Sequence, residues 1–164
     1  MRRSTRQERD PDLGILAVRL ATRVQRELYA RASEHGFTDA RPRHGAVLAF
    51  LDAEGTRQGE LGRLAGRNKQ TMGAIVDELE RLGYVRRETD PADRRAKLIV
   101  PTERGRSFMA LADGLIAQIE RNLADALGPE AYRDFRAALR RGVASLPAAA
   151  EAEAYPAERF SSKL

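Results

Sequence analysis

Cysteine and tryptophan are absent from this 164-residue chain, histidine occurs twice, and only 5% of the residues are aromatic. Without a thiol there is no disulfide, no zinc–thiolate site and no cysteine-based redox sensing. The two histidines, His35 and His44, have no cysteine near them, and no H-x-x-x-H, G-x-x-x-x-G-K or G-x-S-x-G occurs. Paired carboxylates such as Asp77 and Glu80 are ordinary acids of a helix surface. The chain therefore reads as neither an enzyme nor a holder of a metal or cofactor. No segment approaches the roughly 18 apolar residues of a membrane helix. The start, Met1 to Asp10, is basic but lacks the apolar core of a signal peptide. Cytoplasmic residence away from membranes is the expectation.

Charge is plentiful. Charged residues make up 32% of the chain, and 29 Lys and Arg against 24 Asp and Glu leave a net charge of +5. The sequence pI is near 10.1. Such a balance suits a polyanionic partner, and equally suits plain solubility. The length allows one domain, or one domain with tails.

The chain is organised around residues 68–101. Met72, Ile75, Val76, Leu79 and Leu82 form one apolar stripe at helical spacing, and Gly83 follows where a left-handed cap would end the helix. The period then changes. Tyr84–Thr89 and Lys97–Val100 read as two strands, and Asp90–Ala96 between them, with its Asp-Pro, reads as a turn-making tip. Upstream, Glu60, Leu61, Leu64 and Ala65 repeat at helical spacing until Gly66-Arg67-Asn68 breaks the run. Two helices joined by a short turn form a helix-turn-helix, whose second helix enters the DNA major groove. A hairpin directly after it is a wing. The expected fold is mainly α with a small β-hairpin wing, a winged helix-turn-helix.

Asn68 is placed to cap the second helix, leaving the N–H groups of Lys69 and Gln70 to face a phosphate. Opposite the apolar stripe lie Lys69, Gln70, Thr71, Gly73, Ala74 and Asp77. Gln pairs bidentately with adenine, Lys donates to guanine, and Thr or Ala meets a thymine methyl. The same face could simply be solvated. Charge argues for the groove: Arg57, Arg63, Arg67 and Lys69 precede or open the helix, whereas Asp77, Glu78 and Glu80 gather at its far end. A helix dipole alone favours the reverse order. Arg94 or Arg95 at the hairpin tip could enter the minor groove. Arg86 and Arg87 alternate in direction, so one is expected to meet backbone phosphate and the other to pair internally.

These residues resemble the MarR family of bacterial transcriptional regulators. Asp77-Glu78-Leu79-Glu80-Arg81-Leu82-Gly83-Tyr84-Val85-Arg86-Arg87, then Asp93-Arg94-Arg95, then Pro101-Thr102-Glu103-Arg104-Gly105 follow a family pattern of roughly D-x-L-E-x-x-G-L-V-x-R, D-x-R and L-T-x-x-G. The likeness runs from about Pro42 to Gly105. Pro101 stands where Leu is commoner, and Gly62 where Ala is usual. The resemblance makes Arg95 the minor-groove residue and Asp93 the residue that steadies the wing. It also implies a homodimer on a pseudo-palindromic operator, and a small-molecule effector, often an anionic aromatic, held where dimer helices meet the winged unit. Nothing in composition shows that pocket or identifies the effector. Arg43 and His44 could line the junction, or be structural or solvated.

The flanks complete the reading. Residues 1–10 are a loose arm. Leu13, Leu16, Leu20, Val24 and Leu28 mark a long helix through about Ser33. Pro42 opens a short buried helix carrying Val47, Leu48, Phe50 and Leu51 and ending near Gly55. After Thr102, a good N-cap, Phe108, Leu111, Leu115, Ile119, Leu123 and Leu127 share one helix face, which Gly128-Pro129 stops. A last helix, about Glu130 to Ala144, carries Tyr132, Phe135 and Leu139. Residues 11–35 and 102–146 are expected to form a helical dimerisation region through Leu13, Leu16, Leu20, Leu115, Ile119, Leu123, Tyr132 and Phe135. Their apolar surface exceeds what the winged unit, residues 36–101, can cover; packing within one chain is the alternative. Residues 147–164 form a tail without an assigned role. Besides specific double-stranded DNA binding, two other functions remain open here: non-specific architectural DNA binding, and a winged-helix module for protein partners.

Overall fold

A computed structural model describes residues 8–146. Most of the arm at 1–10 and all of the tail at 147–164 lie outside the described residues. Helix α1 (Leu13–Glu34) begins where the Asp12 carboxylate accepts from Ile15 N–H at 3.0 Å. A 3-10 turn at Pro42–His44 leads into α2 (Gly45–Leu48). Then come β1 (Thr56–Arg57), α3 (Gln58–Ala65), α4 (Lys69–Arg81), β2 (Val85–Asp90) and β3 (Asp93–Pro101). The long α5 (Glu103–Leu127) and α6 (Pro129–Ser145) close the chain. This is the mainly helical winged helix-turn-helix expected from the pattern.

Each apolar period finds its burial. Met72, Val76 and Leu79 are fully covered and Ile75 nearly so, because the stripe of α4 faces the centre of the unit. Gly83 (φ 77°) ends that helix: its N–H donates to Glu80 O and Tyr84 N–H to Leu79 O, the paired bonds that satisfy the last carbonyls. Tyr29, Phe37, Tyr84 and Phe108 meet as one aromatic cluster, with Phe108 5.3 Å from Phe37 and 5.6 Å from Tyr84, both edge to face. Four of the nine aromatic residues thus meet at the junction of α1, the wing and α5.

Two expectations are corrected. The helix after Pro42 ends at Leu48 rather than near Gly55, and Phe50 is left exposed. The chain leaves the helix to reach β3: Thr56 and Arg57 pair antiparallel with Ile99 and Leu98, so the sheet has order β1-β3-β2 and the second edge of β3 gains partners. Gly55 (φ 99°) makes the turn, with Ile99 O only 3.0 Å from where a Cβ would stand. The second correction is the wing tip. Asp93–Ala96 belong to β3, in register as Asp90↔Asp93 and Thr89↔Lys97, and the turn is only Pro91-Ala92. This distal ribbon meets solvent on both faces, so it has no apolar alternation to mark it as strand.

Gly62, the departure from the usual Ala, also has a cause. The carbonyl of Arg67 lies 2.9 Å from where its Cβ would be, and Gly62 O accepts Arg67 N–H at 2.8 Å. The turn between α3 and α4 is packed directly on that glycine.

Candidate nucleic-acid interface

The turn between α3 and α4 sets the site. Gly66 caps α3 in the left-handed region (φ 61°), and Asn68 Oδ1 accepts from Thr71 N–H at 2.8 Å to start α4. No acid occupies the first turn of α4. Arg67, Asn68, Lys69, Gln70, Thr71 and Ala74 are all exposed on one side of the helix. Gly73 is half-buried, with Gln58 of α3 3.4 Å from its notional Cβ, so it belongs to the helix–helix contact more than to the outer face. Beside the outer face lies a cleft of about 430 Å³ lined by Arg43, Arg67, Thr71, Ala74, Ile75 and Glu78.

All three acids at the far end of α4 are engaged. Arg87 donates to Asp77 at 2.5 Å and to Glu80, whose other oxygen accepts Arg87 N–H at 3.1 Å. Arg43 grips Glu78 with two bonds, at 2.5 and 2.8 Å. They act as tethers: β2 and the Pro42 turn are both fixed to the back half of α4, which leaves its front half free. Arg43 and, behind it, His44 hold the Glu78 carboxyl down to about 2. His44 is fully buried, its Nδ1 accepting from Arg41 N–H at 3.1 Å, while its Nε2 stands 3.2 Å from Glu78, close but poorly aligned. Burial pushes the imidazole below its ordinary value, against the pull of Glu78.

A second tether carries the wing. Asp90 is 5% exposed; one oxygen accepts Ala92 N–H at 2.8 Å and the other accepts Arg57 Nε at 2.7 Å. The Ala92 amide and then Arg57 hold its carboxyl below the usual range. Asp93, expected to steady the wing, accepts Arg95 N–H at 3.0 Å and so braces the strand at that arginine. Arg94 and Arg95 are exposed, and among the described residues neither side chain meets a carboxylate. Arg86 also points outward but shares its charge with Glu88 at 2.6 Å, while Arg87 is the one that pairs internally.

The pairing of Arg57 with Asp90 and the third strand were not legible in the sequence. Nothing local could have found them, since Arg57 and Asp90 are 33 positions apart.

The long helices present apolar surface outward. Leu13 and Leu16 are exposed, Leu20, Leu115, Ile119 and Leu123 half-buried. No residue of α6 is buried: Phe135, Leu139 and Val143 are exposed, and Tyr132 is half-buried with Arg136 over its ring. Among the described residues no helix is long and apolar enough to cross a membrane.

A model of the MarR family matches residues 35–96. The CouR repressor, solved on a 23-mer DNA duplex, is 30% identical with a TM-score of 0.64, covering 85% of this chain and 94% of that one. The chain belongs to the MarR family. CouR from Rhodococcus jostii RHA1 has also been solved with p-coumaroyl-CoA, at 29% identity, TM-score 0.64, and coverage of 79% and 90%. Among curated relatives, the uncharacterized HTH-type transcriptional regulator YcgE of Bacillus subtilis strain 168 is 54% identical over 43 residues, 26% of this chain and 28% of that protein. The transcriptional regulator HosA of Escherichia coli O111:H- is 32% identical over 80 residues, 48% of this chain and 59% of that protein. The matches thus span less than two thirds of these two curated relatives. MarR membership makes this a transcriptional regulator by family, not an enzyme.

Proposed function

We propose that the chain is a homodimeric, ligand-responsive repressor that binds a pseudo-palindromic double-stranded operator in the cytoplasm. Residues 36–101 form the reading unit. Lys69, Gln70, Thr71 and Ala74 read base edges in the major groove. Arg67 and the Asn68-capped end of α4 meet phosphate. Arg86 contacts backbone, Arg94 and Arg95 reach the flanking minor groove, and Asp93 steadies them. The observation that carries this reading is the division of labour on α4 and the wing: the rear acids are all tethered, while the front face and both tip arginines are open.

Residues 11–35 and 102–146 supply the dimer, through Leu13, Leu16, Leu20, Leu115, Ile119, Leu123, Tyr132 and Phe135. The support is the helix α6, none of whose residues is fully buried among the described residues; such a face calls for a mate, and a two-fold pair is the commonest solution. Binding of p-coumaroyl-CoA and of DNA by CouR supports an effector that biases the separation of two reading heads.

The test is titration of a labelled duplex carrying the promoter beside its own gene, against random competitor, at two salt concentrations. Preference by about a thousandfold with a steep salt slope is the expected result. Equal affinity for random duplex would instead make the chain an architectural binder.

A further inference from the structure

Where α4 ends, the winged unit is joined to the long helix α5 by more than chain connectivity. Tyr84 O accepts Thr102 N–H at 3.0 Å, and the Thr102 hydroxyl donates to Gly83 O at 2.6 Å. One turn on, Gly105 leaves no room for a side chain, because Tyr84 O lies 2.0 Å from its notional Cβ. The two residues just past the C-cap of α4, Gly83 and Tyr84, and the first turn of α5 therefore touch backbone to backbone. That backbone contact is narrow, and beside it the Tyr84 and Phe108 rings pack across the same joint.

Arg104 spans the joint. One guanidinium nitrogen donates to Leu82 O, the C-cap carbonyl of α4, at 2.5 Å; another donates to both oxygens of Asp39 at 2.9 and 3.0 Å. Its plane lies over the Tyr84 ring, 4.4 Å from the centroid. The Tyr84 hydroxyl donates to the same Asp39 at 2.6 Å. Burial acts to raise the Asp39 carboxyl, but the Tyr84 hydroxyl and Arg104 outweigh it and keep the group an anion. One side chain thus binds the end of the reading helix, the loop between α1 and α2, and, through its own backbone, the start of α5. A planar fork with several fixed donors resists rotation in a way a single contact does not.

We infer that Arg104, held by Asp39 and Tyr84, is a positioning residue that sets the angle of the reading head on the long helix and so the operator spacing the dimer accepts. The inference rests on the regulatory reading above. Arg104 touches no DNA in this scheme; it acts only through where it holds α4. Its side chain is 40% exposed, and the contacts of the Phe108 ring with Phe37 and Tyr84 are made without it, so its loss is expected to leave the fold standing.

The experiment uses the full chain and duplexes selected by it from a randomised pool. The selected site is then rebuilt with its half-sites one base pair closer, one base pair farther, and as a single half-site. The wild type should prefer its selected spacing by about tenfold or more, since a base pair both translates and rotates the half-site. Arg104→Gln should lower that preference to about twofold while single-half-site affinity changes less than about twofold, because a loosened head adapts to wrong spacings and binds the right one less firmly. Tyr84→Phe, which keeps the ring and removes the hydrogen bond to Asp39, should fall between. A spacing preference unmoved in both variants overturns the inference and leaves the regulatory reading intact. Equal loss on single and paired half-sites also overturns it, reducing Arg104 to a structural role. A wild type that selects no sequence overturns the regulatory reading itself.

Discussion

The carbonyl oxygen of Tyr84 lies 2.0 Å from the point where a Cβ on Gly105 would stand. The neighbour is backbone, held by Thr102 on the other side, so it cannot rotate away as a side chain would. Gly105→Ala should therefore cost about 2–4 kcal/mol, at or above the usual range for overpacking. Urea denaturation at fixed protein concentration measures it; a change below about 0.5 kcal/mol would mean that the joint yields easily.

Among the described residues Arg95 meets no carboxylate, and its backbone is braced by Asp93. Replacing it with Ala should weaken operator binding by about 1–3 kcal/mol and leave thermal stability unchanged. Removing Arg86, whose charge is shared with Glu88, should matter less. Paired binding isotherms on one duplex distinguish the two, and an Arg86 effect equal to or larger than that of Arg95 would reverse their roles.

Glu78 contributes to the acid sensitivity of the reading unit, beside Asp39 and Asp90, which are also held below their ordinary values. Its carboxyl lies near 2 instead of its ordinary 4.5, so the folded state holds the anion more firmly than the unfolded chain does. The resulting stability is present above about 4.5 and drains away as pH falls toward 2. Glu78→Gln should flatten that part of the acid limb in a pH series of denaturation midpoints. An unchanged slope would show that Arg43 holds a group that solvent already satisfies.

The exposed face of α6 predicts an assembly defect separable from folding. Phe135→Glu with Leu139→Glu should shift sedimentation from dimer to monomer without changing the helical signal of the winged unit. Operator affinity should drop by about a hundredfold or more, since the second half-site no longer binds as part of the same molecule. A double variant that remains dimeric would move the interface elsewhere.

What the sequence made legible follows from where each segment meets the core. The stripe Met72, Ile75, Val76 and Leu79 announces α4 because one face is wholly covered and the other is not. Asn68, Gly83 and Thr102 mark helix ends because capping is local chemistry, settled within three or four residues. The outer wing lacks that signal, since Asp93–Ala96 buries neither face. Two-residue β1 is too short for any period. The tethers are invisible for another reason. Arg57 with Asp90, Arg43 with Glu78 and Arg104 with Asp39 join residues 33, 35 and 65 positions apart. Only the fold makes them neighbours. The candidate DNA face was legible as a set of residue types, whereas the network that holds it forward was not.

The free margin of β2 has a consequence for how the protein survives at high concentration. Among the described residues only β3 pairs with this strand, so its other side has no strand partner, although the Glu80 carboxylate of α4 takes up the Arg87 N–H there. A hairpin that must protrude cannot cover that margin. It carries Arg86, Arg87 and Glu88 in succession, and its pairing slips at Thr89/Asp90. A run of charged side chains and a broken register make a poor template for fibril growth or wing-to-wing adhesion. The same arginine-rich chemistry that suits a polyanion thereby keeps the wings of separate molecules apart.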